Sequence, residues 1–298
     1  MQPPRKWRKP ALPARATVNV AFVAIAGAAL EQIGANAAGA AAGRDPEYLH
    51  QLRVGVRRLR SALHAFGPAL RRRRAAEVEL PWRRMMQALG EARDWDVFLA
   101  TLAAGPLYPE AAKRRGTAQR RVRDLLGSEA FRNARAMAFE QIHRGFWRHH
   151  AKPSEPLASF ARRALEKLHR GLRGSAEGID WRDAARRHRV RIRVKRIRYA
   201  CDFFATAFPA RKLESYLDGL RGMQDILGEM NDIAVQRALL RKLVPPRSPL
   251  GIVRAEAVSR AALAMREQEL IAALEPAWRA FETGRPFWRR PAAGRRKA

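Results

Sequence analysis

A cationic helix pattern occurs twice in this chain and constrains the fold more than any other feature. Residues 50–66 read HQLRVGVRRLRSALHAF, and residues 188–204 read HRVRIRVKRIRYACDFF. At about 100° per residue, each copy divides into an apolar face and a cationic face, the latter within an arc of roughly 80°. In the first copy, the cationic arc holds His50, Arg53, Arg57, Arg60 and His64. In the second copy, it holds His188, Arg191, Lys195 and Arg198.

Such a stripe of like charges predicts an anionic partner. Like charges one helical turn apart destabilise a helix unless something compensates them. The whole chain has 59 Lys and Arg against 28 Asp and Glu, a net charge of +31, while 47% of its residues are hydrophobic. This composition indicates a globular protein whose partner is a polyanion, which includes nucleic acid, an anionic membrane surface and a phosphate polymer.

The repeat extends beyond the two basic segments, at one constant spacing and without a gap. The matched pairs include Arg44 with Arg182, Asp45 with Asp183, Arg83 with Arg221, and Asp94 with Asp232. No segment shows the alternation of a β-strand, so we predict an all-α fold. The duplication predicts two four-helix-like halves of an antiparallel bundle, related by a pseudo-two-fold axis. In that arrangement the two basic helices can line one shared groove or central cavity.

The chain divides into four predicted segments. Residues 1–15 are Pro-rich and basic, and we predict that they form a disordered arm. We assign residues 16–150 to the first repeat, residues 157–283 to the second repeat and residues 284–298 to a basic tail. Within the repeats we expect helices over 17–42, 50–66, 70–104, 107–150 with a division near 127–128, 157–173, 184–208, 211–243 and 251–283. The stretch KPSEP at 152–156 is typical of a linker.

The apolar segment 17–42 has more than one interpretation. With the basic residues before it, it resembles a secretory signal, and a membrane span is less favoured because Ala and Gly dominate it. We favour an opening helix that packs against its neighbours through small side chains. The single cysteine, Cys201, lies on an apolar face and predicts a small core residue in a protein of the reducing cytosol.

The residue types on the stripe suit an extended phosphate polymer. Arginine presents a planar fork of donors that matches phosphate oxygens and keeps its charge at all physiological pH values. Cationic groups one turn apart lie about 5–6 Å from each other, so one helix can hold successive phosphates. A bound polyanion would also favour the protonated forms of His50 and His188.

Two alternatives remain from the residues alone. Glu91 with Asp94, and Glu229 with Asp232, could bind Mg²⁺ for phosphoryl chemistry. We favour a structural role, in which Asp94 and Asp232 orient arginines and Gly90 and Gly228 allow close helix approach, because no nucleophile or general base accompanies the carboxylates. A nucleic-acid partner is the other alternative, although no nucleic-acid-binding motif is present and the aromatic residues are not interleaved with the stripe.

Four segments together resemble the CHAD family, the conserved histidine α-helical domain. They are LHQLRVGVRRLRSAL at 49–63, LGEARDWDV at 89–97, RHRVRIRVKRIRYACDFF at 187–204 and LRGMQDILGEMNDIAV at 220–235, and the resemblance covers roughly residues 15–283. It implies an all-helical duplicated bundle with a basic central cavity, which binds inorganic polyphosphate and associates with polyphosphate granules. The chain then resembles a stand-alone, non-catalytic and cytoplasmic binding module without the triphosphate tunnel domain that many relatives carry, and without a cofactor, metal or membrane partner.

The resemblance also implies a set of binding residues. By position, the family's basic motif corresponds to His50, Arg53, Arg57, Arg58, Arg60, His188, Arg191, Lys195, Arg196, Arg198 and Tyr199. Four further arginines join the expected site only because they repeat in register: Arg44, Arg182, Arg83 and Arg221.

Overall fold

The computed structural model describes residues 2–102, 105–144, 147, 154–244 and 248–289. Over these residues the chain is helical, with two isolated β-bridges and no strand. The α-helices are α1 (Val18–Ala42), α2 (Pro46–Ala65), α3 (Arg72–Thr101), α4 (Tyr108–Gly127), α5 (Glu129–Arg144), α6 (Leu157–Ala176), α7 (Ala184–Phe204), α8 (Ala210–Leu243) and α9 (Leu250–Glu282), with a short 3₁₀ helix over Ala205–Ala207. The predicted all-α class is therefore confirmed.

The two basic helices begin in the same way. Gly43 ends α1 with φ of 69°, a backbone conformation that glycine adopts without strain. Asp45 then caps α2, its carboxylate accepting from the backbone N–H of Glu47 at 2.8 Å. Asp183 caps α7 by accepting from the backbone N–H groups of the second and third following residues, both at 2.9 Å. An aspartate that satisfies free N–H groups at a helix start fixes where the helix begins, so the matched aspartates set the same starting point for both basic helices.

The chain divides into two compact units. Unit 1 comprises Met1–Ala11, Phe22–Ala151 and Asp232–Glu267, and unit 2 comprises Leu12–Ala21, Lys152–Asn231 and Gln268–Ala298. Three of the boundaries between the units fall within the long helices α1, α8 and α9. Unit 1 contains α2 and unit 2 contains α7. The duplication and a cavity shared by these two helices remain predictions.

In unit 1, α1 packs closely on α2 through small residues. A Cβ atom added at Gly55 of α2 would lie 2.9 Å from Cγ1 of Ile33 and 3.2 Å from the carbonyl oxygen of Ala29. Phe22 of α1 is fully buried and meets Phe66 edge to face, with ring centroids 5.4 Å apart. By length and composition α1 could cross a membrane, with a mean hydropathy of 1.5, but half of that window is buried. The predicted packing of this helix against its neighbours is thus confirmed.

In unit 2, α6 and α7 enclose an aromatic core. Phe160 and Phe204 meet edge to face with ring centroids 6.0 Å apart. Cys201 is completely buried, and burial raises the pKa of its thiol well above the ordinary value. The predicted core role of Cys201 is therefore confirmed. The imidazole of His169 is buried, and its Nδ1 atom lies 2.9 Å from the hydroxyl oxygen of Tyr216.

The N-terminal arm lies against α1 and α2 of unit 1. The backbone N–H of Arg5 donates to Oδ1 of Asn36 at 3.0 Å, and the Asn36 amide donates back to the Arg5 carbonyl at 2.9 Å. Tyr48 donates a hydrogen bond to the carbonyl of Gln2. We predicted a disordered arm from its composition, and that composition did not indicate these contacts.

Candidate polyanion-binding site

The cationic stripe of α2 divides into two environments within unit 1. At its N-terminal end, His50, Arg53 and Arg57 are partly exposed, and Arg93 of α3 adds its positive charge to theirs. We call these four residues the unit 1 cationic cluster. At its C-terminal end, the stripe meets a carboxylate of α3, so the two ends differ in how far their charge is compensated.

Arg53 is the most constrained cation of the cluster. Its Nε atom is buried and has no hydrogen-bond partner among the described residues. One terminal nitrogen would lie 3.9 Å from a Cβ added at Gly90, which places the guanidinium against α3. Burial lowers the pKa of Arg53 to about 10; the positive charges of Arg57 and Arg93 act in the same direction, and the carboxylate of Asp94 opposes them. The free protein therefore keeps this charge at an energetic cost.

Asp94 is the carboxylate most strongly coupled to Arg53. Burial raises the pKa of Asp94 above 3.8, and the negative charge of Asp232 raises it further. The charges of Arg53, Lys242 and Arg93 oppose this rise. This arrangement agrees with the predicted orienting role of Asp94. A single half-buried carboxylate is then shared among several cations.

His50 is held toward its neutral form. Burial lowers its pKa below 6.5, and the positive charges of Arg93, Arg57 and Arg53 lower it further, against the carboxylate of Glu47. An anion placed on the cluster would reverse the effect of the arginines, because a negative charge favours the imidazolium. The imidazole is therefore sensitive to the charge of whatever occupies the cluster.

The C-terminal end of the stripe is already neutralised. Glu79 of α3 accepts two hydrogen bonds from Arg60, at 3.1 Å and 2.9 Å, and its Oε1 lies 3.3 Å from Nε2 of His64. The interaction with His64 and that with Arg60 lower the pKa of Glu79 to about 2, against desolvation. Arg60 was predicted as a ligand residue, and its charge is engaged within the protein.

Other predicted residues of unit 1 lie outside the cluster. The Arg58 guanidinium covers the ring of Trp7, 4.7 Å from its centroid, as in a cation–π contact. Arg58 lies on a different side of α2 from Arg53 and Arg57. Arg44 and Arg83 are exposed.

In unit 2 the predicted residues have varied surroundings. Arg191, Lys195 and Arg198 are partly exposed along α7, whereas His188, Arg196, Arg182 and Arg221 are exposed. Tyr199 is buried and stacks on Phe203, with ring centroids 6.1 Å apart. Arg221 pairs with Asp218 at 2.7 Å. Of this set, Arg191, Lys195 and Arg198 form a row on α7, and the first two match Arg53 and Arg57 of the cluster in the repeat.

Sequence reasoning missed two contributors to the site and misjudged two glycines. Arg93 and Lys242 were not predicted, because only helix packing brings Arg93 of α3 to His50 and Arg53 of α2, and Lys242 of α8 to Asp94. The prediction of close helix approach at Gly90 and Gly228 is wrong. Among the described residues, a Cβ at Gly90 would have only the Arg53 side chain within 4 Å, and a Cβ at Gly228 would have no neighbour within 4 Å.

The acidic residues of α3 face cations. Glu91 pairs with Arg121 at 3.1 Å and with Lys242 at 3.7 Å. Among the described residues, no three His, Cys, Asp or Glu side chains come together as a metal-binding group. The positive neighbours of Glu91 and Asp94 suit a role in orienting basic side chains.

A family model described as the CHAD domain matches residues 24–241. The chain belongs to the CHAD family. The crystal structure of the CHAD domain from the plant Ricinus communis is similar to it with a TM-score of 0.80 and 30% identity, over 96% of this chain and 98% of that one. PptA from Streptomyces chartreusis shares the fold, with a TM-score of 0.66 and 16% identity over 89% of this chain and 100% of that one. No curated protein sequence matches the chain. The CHAD family is linked to polyphosphate binding, and its domains are generally non-catalytic.

Proposed function

We propose that this CHAD protein binds inorganic polyphosphate through the unit 1 cationic cluster and the matching row on α7. The observation that carries the proposal is the state of Arg53. Its charge is half buried, its pKa is lowered to about 10, and Arg57 and Arg93 repel it. A bound phosphate chain would relieve that repulsion, so part of the binding free energy comes from removing a cost that the free protein bears.

The arrangement favours a chain of phosphates over a single compact anion. Arg53 and Arg57 lie one turn apart on α2, a spacing of about 6 Å along the helix. Their side chains can therefore contact different phosphates of one chain. The row Arg191, Lys195 and Arg198 gives α7 the same spacing. Arg60, Arg58 and Tyr199 have less part in this proposal, because each is engaged elsewhere in the structure.

The proposal predicts preference for polyphosphate over DNA. We would measure polyphosphate affinity with a DNA competitor at several salt concentrations, for the wild type and for Arg53→Ala/Arg57→Ala. Because salt weakens every polyanion complex, the preference at fixed salt is the informative quantity. The double variant should lose about tenfold or more in affinity, since two charge-assisted contacts are removed.

The matched control removes the same charge from an exposed site of unit 1. Arg73 and Arg74 are exposed on α3 and pair with Glu77 at 3.3 Å and 3.1 Å. Arg73→Ala/Arg74→Ala should keep the polyphosphate preference. Arg57→Gln, a milder change at a partly exposed position, covers the case in which Arg53→Ala does not fold.

Two results would overturn the proposal. Equal competition by DNA, with the cluster and control variants binding alike, would favour the nucleic-acid alternative and place binding on the general basic surface. Mg²⁺-dependent shortening of polyphosphate that Asp94→Ala abolishes would make the protein an enzyme. We propose that the protein does not turn over polyphosphate, and that it is located in the cytoplasm with polyphosphate granules. A fluorescent fusion in polyphosphate-rich cells would test this location.

A further inference from the structure

The three most exposed large apolar side chains among the described residues all lie on α9. Leu250 is 74% exposed, and Val258 and Met265 are each 71% exposed. Glu256 is buried on the opposite side of the helix, so that side faces the protein. Single exposed apolar side chains are common, but several on one face of a helix mark a surface that meets another molecule.

Six exposed residues of α9 form a stripe whose sequence is self-complementary. At about 100° per residue, they fall within an arc of roughly 100° on the helix. We call them the α9 stripe: Arg254, Val258, Ala261, Ala262, Met265 and Glu269. The stripe has a cation at one end, an anion at the other and apolar residues between them. The two charged residues are equally far from its midpoint, and so are Val258 and Met265.

A second α9 packed antiparallel on this stripe would match it at every position. With a two-fold axis at the midpoint between Ala261 and Ala262, Arg254 of each copy meets Glu269 of the other. In the same register, Val258 of each copy meets Met265 of the other. The alanines lie where the helices cross, and their small side chains allow the axes to approach toward the lower end of the usual range of about 8–10 Å. Such an isologous contact is the commonest kind in symmetric dimers.

The local charge favours a second copy over an anionic partner. Residues 250–269 contain three arginines and three glutamates, whereas the whole chain has a net charge of +31. A polyanion or an anionic membrane is attracted to a surface with excess positive charge, which this segment lacks. The separation of the two charges suits a copy of the same helix, because fifteen residues place them about 22 Å apart along its axis.

We propose that two copies of this chain associate through the α9 stripe as an antiparallel, two-fold-symmetric pair. This inference goes beyond polyphosphate binding and does not depend on it. Two copies that each carry +31 repel one another, and salt screens this repulsion over a distance of about 8 Å at 0.15 M and about 3 Å at 1 M. Association should therefore strengthen as salt is added, whereas polyanion binding weakens.

The first test measures the dimerisation constant of the full chain by sedimentation velocity over a range of protein and salt concentrations. Val258→Ser/Met265→Ser should weaken dimerisation by about tenfold or more, because apolar contacts are lost from both copies. Both side chains are largely exposed in the single chain, so the variant should fold normally, as circular dichroism would verify. Phe139→Ser is the matched control, because Phe139 is 58% exposed on α5, away from the stripe.

The second test examines the antiparallel register by charge reversal. Arg254→Glu alone, or Glu269→Arg alone, places like charges at both ends of the contact and should weaken dimerisation. The combined variant Arg254→Glu/Glu269→Arg restores opposite charges and should recover the wild-type dimerisation constant. Failure of this recovery would overturn the antiparallel pairing.

Other outcomes would overturn the association itself. A monomer at every protein and salt concentration would do so, as would an equal loss of dimer in Phe139→Ser and in the Val258→Ser/Met265→Ser variant. Association that weakens with salt and that nuclease treatment removes would show bridging by nucleic acid rather than contact through α9.

Discussion

Replacing Glu79 with glutamine should separate stability from polyanion binding. Glu79 accepts two hydrogen bonds from Arg60 and lies 3.3 Å from His64. Its pKa is lowered from 4.5 to about 2. At about 1.4 kcal/mol for each tenfold change in proton affinity, this lowering corresponds to at most about 3 kcal/mol of folding free energy. The side chain is 21% exposed, so we expect ~1–2 kcal/mol after screening by solvent.

The effect on stability should depend on pH in one direction. A carboxylate with a lowered pKa stabilises the folded state above its unfolded value of 4.5, and this contribution is lost as the pH falls toward about 2. Glu79→Gln should therefore lower the thermal midpoint by roughly 2–3 °C at pH 7. The difference between wild type and variant should become smaller at pH 3, as measured by circular dichroism melts.

The same substitution should strengthen polyphosphate binding. Without the carboxylate, Arg60 and His64 lie uncompensated on the stripe that already carries Arg53 and Arg57. Glu77→Gln is the control, because Glu77 is on the same helix and pairs with exposed arginines at 3.1–3.3 Å. Such exposed pairs contribute about 0–1 kcal/mol. Equal midpoints for the two variants at pH 7, or weaker polyphosphate binding by Glu79→Gln, would refute this reasoning.

Three further predictions concern packing, the C-terminal contact and proton linkage. Gly55→Ala should destabilise unit 1 by about 1 kcal/mol in urea unfolding, because its Cβ would crowd the backbone of α1, whereas Gly222→Ala in open space should be stabilising by up to ~1 kcal/mol. Arg289 donates to Glu166 at 2.9 Å and 2.7 Å, and these bonds lower the pKa of Glu166 to about 2. Glu166→Gln should therefore hasten proteolysis of the C-terminal segment at pH 7. The difference in proteolysis rate between variant and wild type should disappear as the pH falls through 4.5 toward about 2. Polyphosphate affinity should rise as the pH falls from 7.5 to 5.5, because the anion raises the lowered pKa of His50, and a His50→Gln titration that keeps the full pH dependence would contradict this.

Much of the fold could be predicted from local sequence because its signals are local. The aspartates at 45 and 183 and the glycine at 43 mark helix ends through short-range hydrogen bonds and backbone conformation. The division of α4 from α5 follows from Gly127 and Ser128, which end one helix before the next begins at Glu129. Such signals act within one turn of the chain, so they can be recognised in the sequence without knowledge of the tertiary structure.

The candidate site was predicted only in part, because charge compensation is a tertiary property. On the helical arc, Arg53 and Arg60 are equivalent, since both face the cationic side of α2. Packing of α3 gives Arg60 the carboxylate of Glu79, whereas Arg53 meets Gly90 and the charge of Arg93. No spacing rule on α2 alone distinguishes the two arginines.

The distribution of compensation, more than the total charge, favours a specific binding site. A net charge of +31 attracts any polyanion to any face of the protein. Some arginines elsewhere have a carboxylate partner one turn away, as Arg114 has Glu110 and Arg279 has Glu275, both at 2.8 Å. The unit 1 cationic cluster instead shares the carboxylate of Asp94 among several cations and keeps Arg53 half buried. A polyanion bound there removes repulsion within the fold, whereas one bound at the paired arginines must compete with their carboxylates. We therefore expect the cluster variant to alter the choice between polyanions, and variants of the paired arginines to alter only the salt dependence of weak, general binding.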